Sequence, residues 1–195
     1  MLHLNLASKS AVRRKLLIDA GIQHIQTDSG LDEDVLKERL LRLGAKPIEI
    51  AISLATEKSH SVSRQSNELT LGADQILDLD GKILSKTKTA EEVRHRLELL
   101  SGKQHWLHTG VCFCLGPLIV MRAVDSALVT MRRLSSSDID RICQDAVQLI
   151  GTLGGYKSED SHFKMLANYE GHSTTVLGLP MPLVTSFLRS HAIGV

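Results

Sequence analysis

The sequence predicts an α/β fold, and three stretches carry that prediction. An opening strand ending at Leu6-Ala7 turns through Ser8-Lys9-Ser10 into a helix, and a strand–turn–strand unit over 69–84 runs into a capped helix. Two long strand patterns, Gln104 to Leu115 and Leu118 to Met131, precede another capped helix. Strands alternating with amphipathic helices point to mixed rather than all-α or all-β architecture. With 195 residues the chain can bury one good core, so one domain over 1–195, bilobed at most, is expected.

The first helix carries Val12, Leu16 and Leu17 and stops at Gly21. An acidic stretch with Leu31-Asp32-Glu33-Asp34 follows, readable as a solvated loop or as a helix N-cap. Pro47 opens a second helix, in which Ile48, Ala51, Ile52 and Ala55 recur at helical spacing, with Lys58 near its end. Leu69 to Leu77 is a β-type run interrupted by Asp74; Asp78-Leu79-Asp80-Gly81 is its hairpin turn and Ile83-Leu84 the return strand. Thr89-Ala90-Glu91-Glu92 is a capping box, and Val93, Leu97 and Leu100 form the buried stripe of a helix ending at Ser101-Gly102. The long strands meet at Gly116-Pro117. Ser135 to Asp138 then caps a helix bearing Ile139, Ile142, Cys143, Ala146 and Ile150. An irregular glycine-rich segment, Gly151 to Asp160, precedes Thr175 to Pro180 and a last helix with Leu183, Val184, Phe187 and Leu188.

Composition narrows the function classes. Hydrophobic content of 43%, 23% charged residues and a net charge of +1 describe a globular chain with no global attraction to nucleic acid polymers or membranes. No basic leader and no membrane-length apolar run is visible, so a cytoplasmic address is expected. Cys112, Cys114 and Cys143 are read as reduced core residues, since three cysteines cannot all pair. His105 and His108 sit three apart on a strand, which sends their rings to opposite faces and argues against a histidine metal site.

The residues with chemistry lie at element ends. Ser8 or Ser10 can cap a helix whose N–H groups and dipole face the turn, and Arg13 adds a planar fork of donors suited to phosphate. A carboxylate inside an apolar strand is costly unless paired, exposed at a rim or bound to a cation, which marks Asp74 as functional. Gly72 allows a close approach to the backbone there, and Lys86 and Lys88 follow one hairpin away.

Taken in order, Leu6 to Ser10 with Arg13, Asp32-Glu33, Leu54 to Lys58, Gly72-Ala73-Asp74, Asp80 to Lys86, Leu100 to His105 with Thr109-Gly110, and Val176 to Pro180 resemble the Maf family of nucleoside triphosphate pyrophosphatases. The resemblance spans nearly the whole chain. It implies a Maf/ITPase-like mixed α/β unit, an elongated twisted sheet flanked by helices around a deep cleft. It also implies a divalent cation, Mg²⁺ or Mn²⁺, frequent homodimers, and cleavage of a nucleoside triphosphate to monophosphate and pyrophosphate. On this chain it makes Asp74 the general base or metal-linked carboxylate and Glu33 a metal ligand. Arg13, Lys58 and Lys86, with Ser8 and Ser10, become the cradle of the triphosphate.

Within the family the likeness leans to the 7-methyl-GTP branch rather than the dTTP and UTP branch. Gln75 stands where the latter has Thr, and Lys157-Ser158-Glu159 where it has Gly-Ile-Gln. Glu159 can accept from the N1–H and N2 amino group of a guanine and complement a methylated, cationic ring. Three departures stand out: Val12 replaces a Trp, Thr87 replaces a Pro, and Gly151-Thr152-Leu153 replaces a charged, proline-containing loop. A different class of function, a nucleotide-binding regulator of division without turnover, would have no need of Asp74.

Overall fold

The computed structural model describes residues 3–66, 68–160 and 163–191. In chain order its elements are β1 (Leu4–Ala7), α1 (Ala11–Asp19), β2 (His24–Thr27), α2 (Glu33–Arg42), α3 (Pro47–Ser63), β3 (Leu69–Leu79), β4 (Lys82–Leu84) and α4 (Ala90–Leu100). They continue with β5 (Gln104–Leu115), β6 (Leu118–Met131), α5 (Ser136–Cys143), α6 (Ala146–Leu149), α7 (Phe163–Leu166), β7 (Ala167–Glu170), α8 (Ser173–Val176) and α9 (Met181–Ser190).

The strands form one mixed seven-stranded sheet in the order β2-β1-β3-β5-β6-β7, with β4 added to β3. β1 is parallel to both β2 and β3, whereas β3, β5, β6 and β7 are successively antiparallel. One edge of β3 pairs with β5 from Leu69 to Asp78. Its other edge is divided: β1 covers Leu69 to Gly72 and β4 covers Leu77 to Leu79. The interval Ala73 to Ile76 is therefore an open stretch of edge in mid-sheet, at the carboxyl end of β1, where open α/β sheets receive ligands.

Side-chain alternation along β3 divides the interior. Leu69, Leu71 and Ala73 pack with Leu17, Phe113, Val184 and Leu188 beneath α1 and α9; Leu77 and Leu79 pack with Val93, Leu97 and Leu100 of α4. Gln75 lies on this face between the two apolar clusters. The even-numbered residues face α3, where Ile76 packs with Ile50 and Leu54. α3 lies unusually close to the sheet. A Cβ at Gly72 would stand 2.2 Å from Ala55 O, and one at Gly110 2.4 Å from Ala51 O. The close approach expected at Gly72 is thus made by the α3 backbone.

Several elements differ from the sequence reading. The acidic stretch is the start of a real helix: the Asp32 side chain accepts from Val35 N–H and caps α2. Glu92 reaches the N–H of Lys88, one residue before the Thr89 cap, so the expected reciprocal box at Thr89 is only half formed. The helix expected through Ile150 breaks after Cys143, where Asp145 N–H donates to Ile142 O, three residues back, and the chain restarts as α6. The Asp80-Gly81 hairpin turn holds, with both residues at positive φ (53° and 81°), the geometry of a type I′ turn. Cys112 and Cys114 are buried free thiols, but Cys143 is only half-buried on α5. His105 and His108 do diverge: one meets Tyr156, the other Ser126. Among the described residues no helix is long and apolar enough to cross a membrane.

Candidate active site

The open edge of β3 is the floor of a cleft of about 520 Å³, and every residue singled out from the sequence lines it: Ser8, Ser10, Val12, Arg13, Glu33, Lys58, Asp74, Gln75, Lys86 and Glu159. A second pocket of about 370 Å³ continues from it past Glu33, Asp74 and Lys86 toward Lys37 and Lys88.

The wall at the end of β1 is built by the two serines. Ser10 is the cap of α1, its hydroxyl accepting from Arg13 N–H at 3.3 Å, while Ser8 Oγ accepts from Ser10 N–H and from Arg13 Nη1. The first-turn N–H groups of a helix lack intrahelical partners, so this end favours an anion. Arg13 is buried and does more than offer charge. Its Nη1 donates to Ala73 O at 2.8 Å, on the uncovered edge of β3, and its Nε to Gly178 O at 2.7 Å. Burial lowers its pKa against the opposing pull of Asp74 and Glu33. Arg13 thereby ties three segments together at the head of the cleft.

On the α3 face lies a row of alternating charge. Gly72 and Gly110 let α3 settle on the sheet, which brings Lys58 within 2.5 Å of Asp74 Oδ1. Lys58 Nζ is also 2.8 Å from Glu33, and Lys86 Nζ 3.7 Å from the other Glu33 oxygen. Lys58 and Asp74 are nearly inaccessible, whereas the Lys86 side chain is 59% exposed. Burial pushes the Glu33 carboxyl up, but the charge and hydrogen bond of Lys58, with Lys86 and Arg13, outweigh it and hold Glu33 below the ordinary glutamate range. Both carboxylates are therefore neutralised by lysines that a polyanion can draw away.

The opposite face is loop-built. Gln75 Nε2 donates to Thr109 Oγ1 (3.0 Å), Thr175 O (2.8 Å) and Val176 O (3.2 Å). Two of these partners are backbone carbonyls, which only accept, so the amide cannot be turned round and Oε1 is left as an acceptor for a ligand. Thr109 Oγ1 also donates to Thr175 O, and Thr175 Oγ1 donates to the Asp125 carboxylate. Glu159 and Lys157 stand on the far wall; Ser158 Oγ donates to Val176 O. That wall is anchored by buried Tyr156, whose hydroxyl shares a 2.6 Å hydrogen bond with His105 Nε2. Burial alone pushes His105 down to about 4.

Thr175, Asp125 and His105 were not among the residues singled out for the site. Thr109-Gly110 was conspicuous as a string, but the Thr109 contact is with a carbonyl more than sixty residues away, which no local pattern encodes.

A divided strand edge on a mixed α/β sheet thus gathers a helix N-terminus, a buried arginine and paired lysines and carboxylates in one cleft, a set of groups suited to a polyanion. The family model described as Maf-like protein matches residues 3–191, and the chain belongs to that family. A nucleoside triphosphate pyrophosphatase of Caulobacter vibrioides is 35% identical over 96% of this chain and 95% of its own length. A 7-methyl-GTP pyrophosphatase of Rhizobium meliloti is 34% identical over 95% and 94%. A solved HAM1 protein from Coxiella burnetii aligns with 69% of this chain and 75% of its own at 18% identity and a TM-score of 0.42, too slight a likeness to define a shared fold.

Proposed function

We propose that this chain is a nucleoside triphosphate pyrophosphatase, a hydrolase acting on acid anhydrides, that releases monophosphate and pyrophosphate. Family membership and the names of near full-length relatives support the reaction class. The observation that carries it is the row Asp74–Lys58–Glu33–Lys86 under the open edge of β3. A triphosphate entering there meets Arg13, Lys58, Lys86 and the N-terminus of α1. The lysines exchange carboxylate partners for phosphate oxygens and neutralise the charge that builds on the departing pyrophosphate. Asp74, released from Lys58, accepts the proton of the attacking water.

The donor set fits a divalent cation, Mg²⁺ or Mn²⁺. Glu33 and Asp74 offer hard carboxylate oxygens bridged by one lysine, and such ions take one or two protein carboxylates with water and phosphate as the remaining ligands. Bound there, the cation would polarise the phosphoryl oxygens and screen their charge.

For the base, the reading is a 7-methylated guanine. Gln75 Oε1 is fixed as an acceptor, and Glu159 brings a second acceptor with negative charge to the same cleft, a pair suited to the donor edge of a cationic purine. The Rhizobium meliloti relative bears that substrate in its name. On this reading the water activated by Asp74 attacks the phosphate next to the nucleoside. Hydrolysis of a panel of 7-methyl-GTP, GTP, dTTP and UTP in ¹⁸O-water should leave the label in the monophosphate, with 7-methyl-GTP preferred. Release of diphosphate and single phosphate would overturn the reaction class, and equal rates across the panel would overturn the base assignment.

A further inference from the structure

Lys86 is the most exposed member of the charged row, yet the chain on both sides of it is held. Ser85 O accepts from Arg96 Nη2 at 2.9 Å, and Thr87, itself buried, forms a backbone pair with the loop after α6: Thr87 N–H to Thr152 O at 3.0 Å and Gly151 N–H to Thr87 O at 2.8 Å. Thr87 Oγ1 adds contacts to Leu149 O and Thr152 O. Arg96 Nη1 donates to Leu153 O, so one guanidinium spans the two loops. The second loop has little freedom of its own. Gly155, at a φ of 72°, would place a Cβ 3.2 Å from Val93 O, and the next residue is the anchored Tyr156. The chain then continues directly into Lys157-Ser158-Glu159 on the base-facing wall.

We propose that Arg96 is a positioning residue, which, with the Thr87–Thr152 backbone pair, couples the seating of a base against Lys157 to Glu159 to the placement of Lys86 on the phosphates. The proposal rests on the pyrophosphatase reading for its substrate. Its physical basis is geometric: a planar fork whose two ends grip carbonyls on two adjoining loops transmits displacement between them, whereas a lysine offers a single point of attachment. Arg96 touches neither reacting group, and its charge is 57 residues in sequence from the carbonyl it holds on the far loop.

The test is a double-mutant cycle between Lys86→Met and Glu159→Gln, measured in kcat/KM and repeated in Arg96→Met and Arg96→Lys backgrounds. With Arg96 present the two substitutions should be non-additive by about 5- to 10-fold, the scale of residues coupled through shared partners. In both Arg96 backgrounds the coupling should fall to within about twofold, the ordinary additivity of independent sites. Coupling that survives in Arg96→Met, or that is absent with Arg96 in place, would overturn the proposal. Coupling restored by Arg96→Lys would also overturn it, since charge rather than the span would then be responsible. Amide exchange of the ligand-free protein supplies a readout independent of turnover. Arg96→Met should accelerate exchange at Thr87 and Gly151 together, and unchanged protection at both would equally overturn the proposal. If the protein with Arg96 hydrolyses no nucleoside triphosphate, the pyrophosphatase reading fails, and the exchange result still decides the strap.

Discussion

Asp74 and Gln75 are neighbours in sequence, lie on opposite faces of β3, and belong to regions built in different ways. Asp74 faces a long helix pressed on the sheet by two glycines; its partner Lys58 sits on α3 and is shared with Glu33 at the start of α2. Gln75 faces loops and one-turn helices, and its partners are backbone carbonyls of Thr175 and Val176 together with the Thr109 hydroxyl. On the proposed reading the difference separates two tasks. Charge chemistry common to all nucleoside triphosphates would rest on regular elements, and discrimination among bases on irregular segments that can vary without moving the carboxylates.

The sharpest way to break the charged side is Lys58→Met. Removing one partner of a buried ion pair leaves Asp74 without its contacting counter-charge, and should cost about 3–5 kcal/mol of stability by denaturant titration. The loop-built side should fail first in acid. The folded pKa of His105, about 4, lies below its ordinary value of 6.5, so the unfolded chain binds more protons between those values. The resulting stabilisation is fully present above pH 6.5 and lost as pH falls through 4, worth about 3 kcal/mol in total. Urea midpoints measured across that window should fall for the native protein and flatten in His105→Gln. Smaller again is Gly72→Ala, whose Cβ must displace the Ala55 carbonyl and the Ser59 N–H. It should cost about 1–3 kcal/mol and reduce turnover by parting Lys58 from Asp74. A Gly72→Ala protein that keeps native stability would show that the tight seat of α3 is not what sets their distance.

The same contrast explains what could be read from the sequence. The long strands β3, β5 and β6, helices α3 and α4, and the candidates Ser8, Ser10, Arg13, Asp74 and Lys86 follow from apolar periodicity, capping and the cost of a carboxylate in a strand. Val12, Glu33, Lys58, Gln75 and Glu159 came only from the resemblance to the Maf family. β2 escaped because its residues are half-buried or exposed and show no alternation. α2 escaped because no residue in it is buried, leaving only its acidic start as a signal. β7 is a short strand with one buried residue. The α5–α6 break was hidden because the apolar spacing of Ile139, Ile142 and Ala146 continues across it. On the loop side, Thr87, Arg96 and Gln75 make contacts with backbone carbonyls, which every residue type presents, so no pattern of side chains announces them.

The division between the two faces is tested most directly by comparing Asp74→Asn with Glu159→Gln over 7-methyl-GTP, GTP, dTTP and UTP. Asp74→Asn, nearly isosteric but unable to accept the proton, should lower kcat for every nucleotide by at least ~10²-fold and leave their ranking unchanged. Glu159→Gln should leave that common step intact and erode the preference for 7-methyl-GTP by about one to two decades, the scale of one charged hydrogen bond in a closed site. A folded Asp74→Asn protein that keeps its turnover, or that reorders the substrates as Glu159→Gln is expected to do, would contradict the separation of chemistry from recognition across β3.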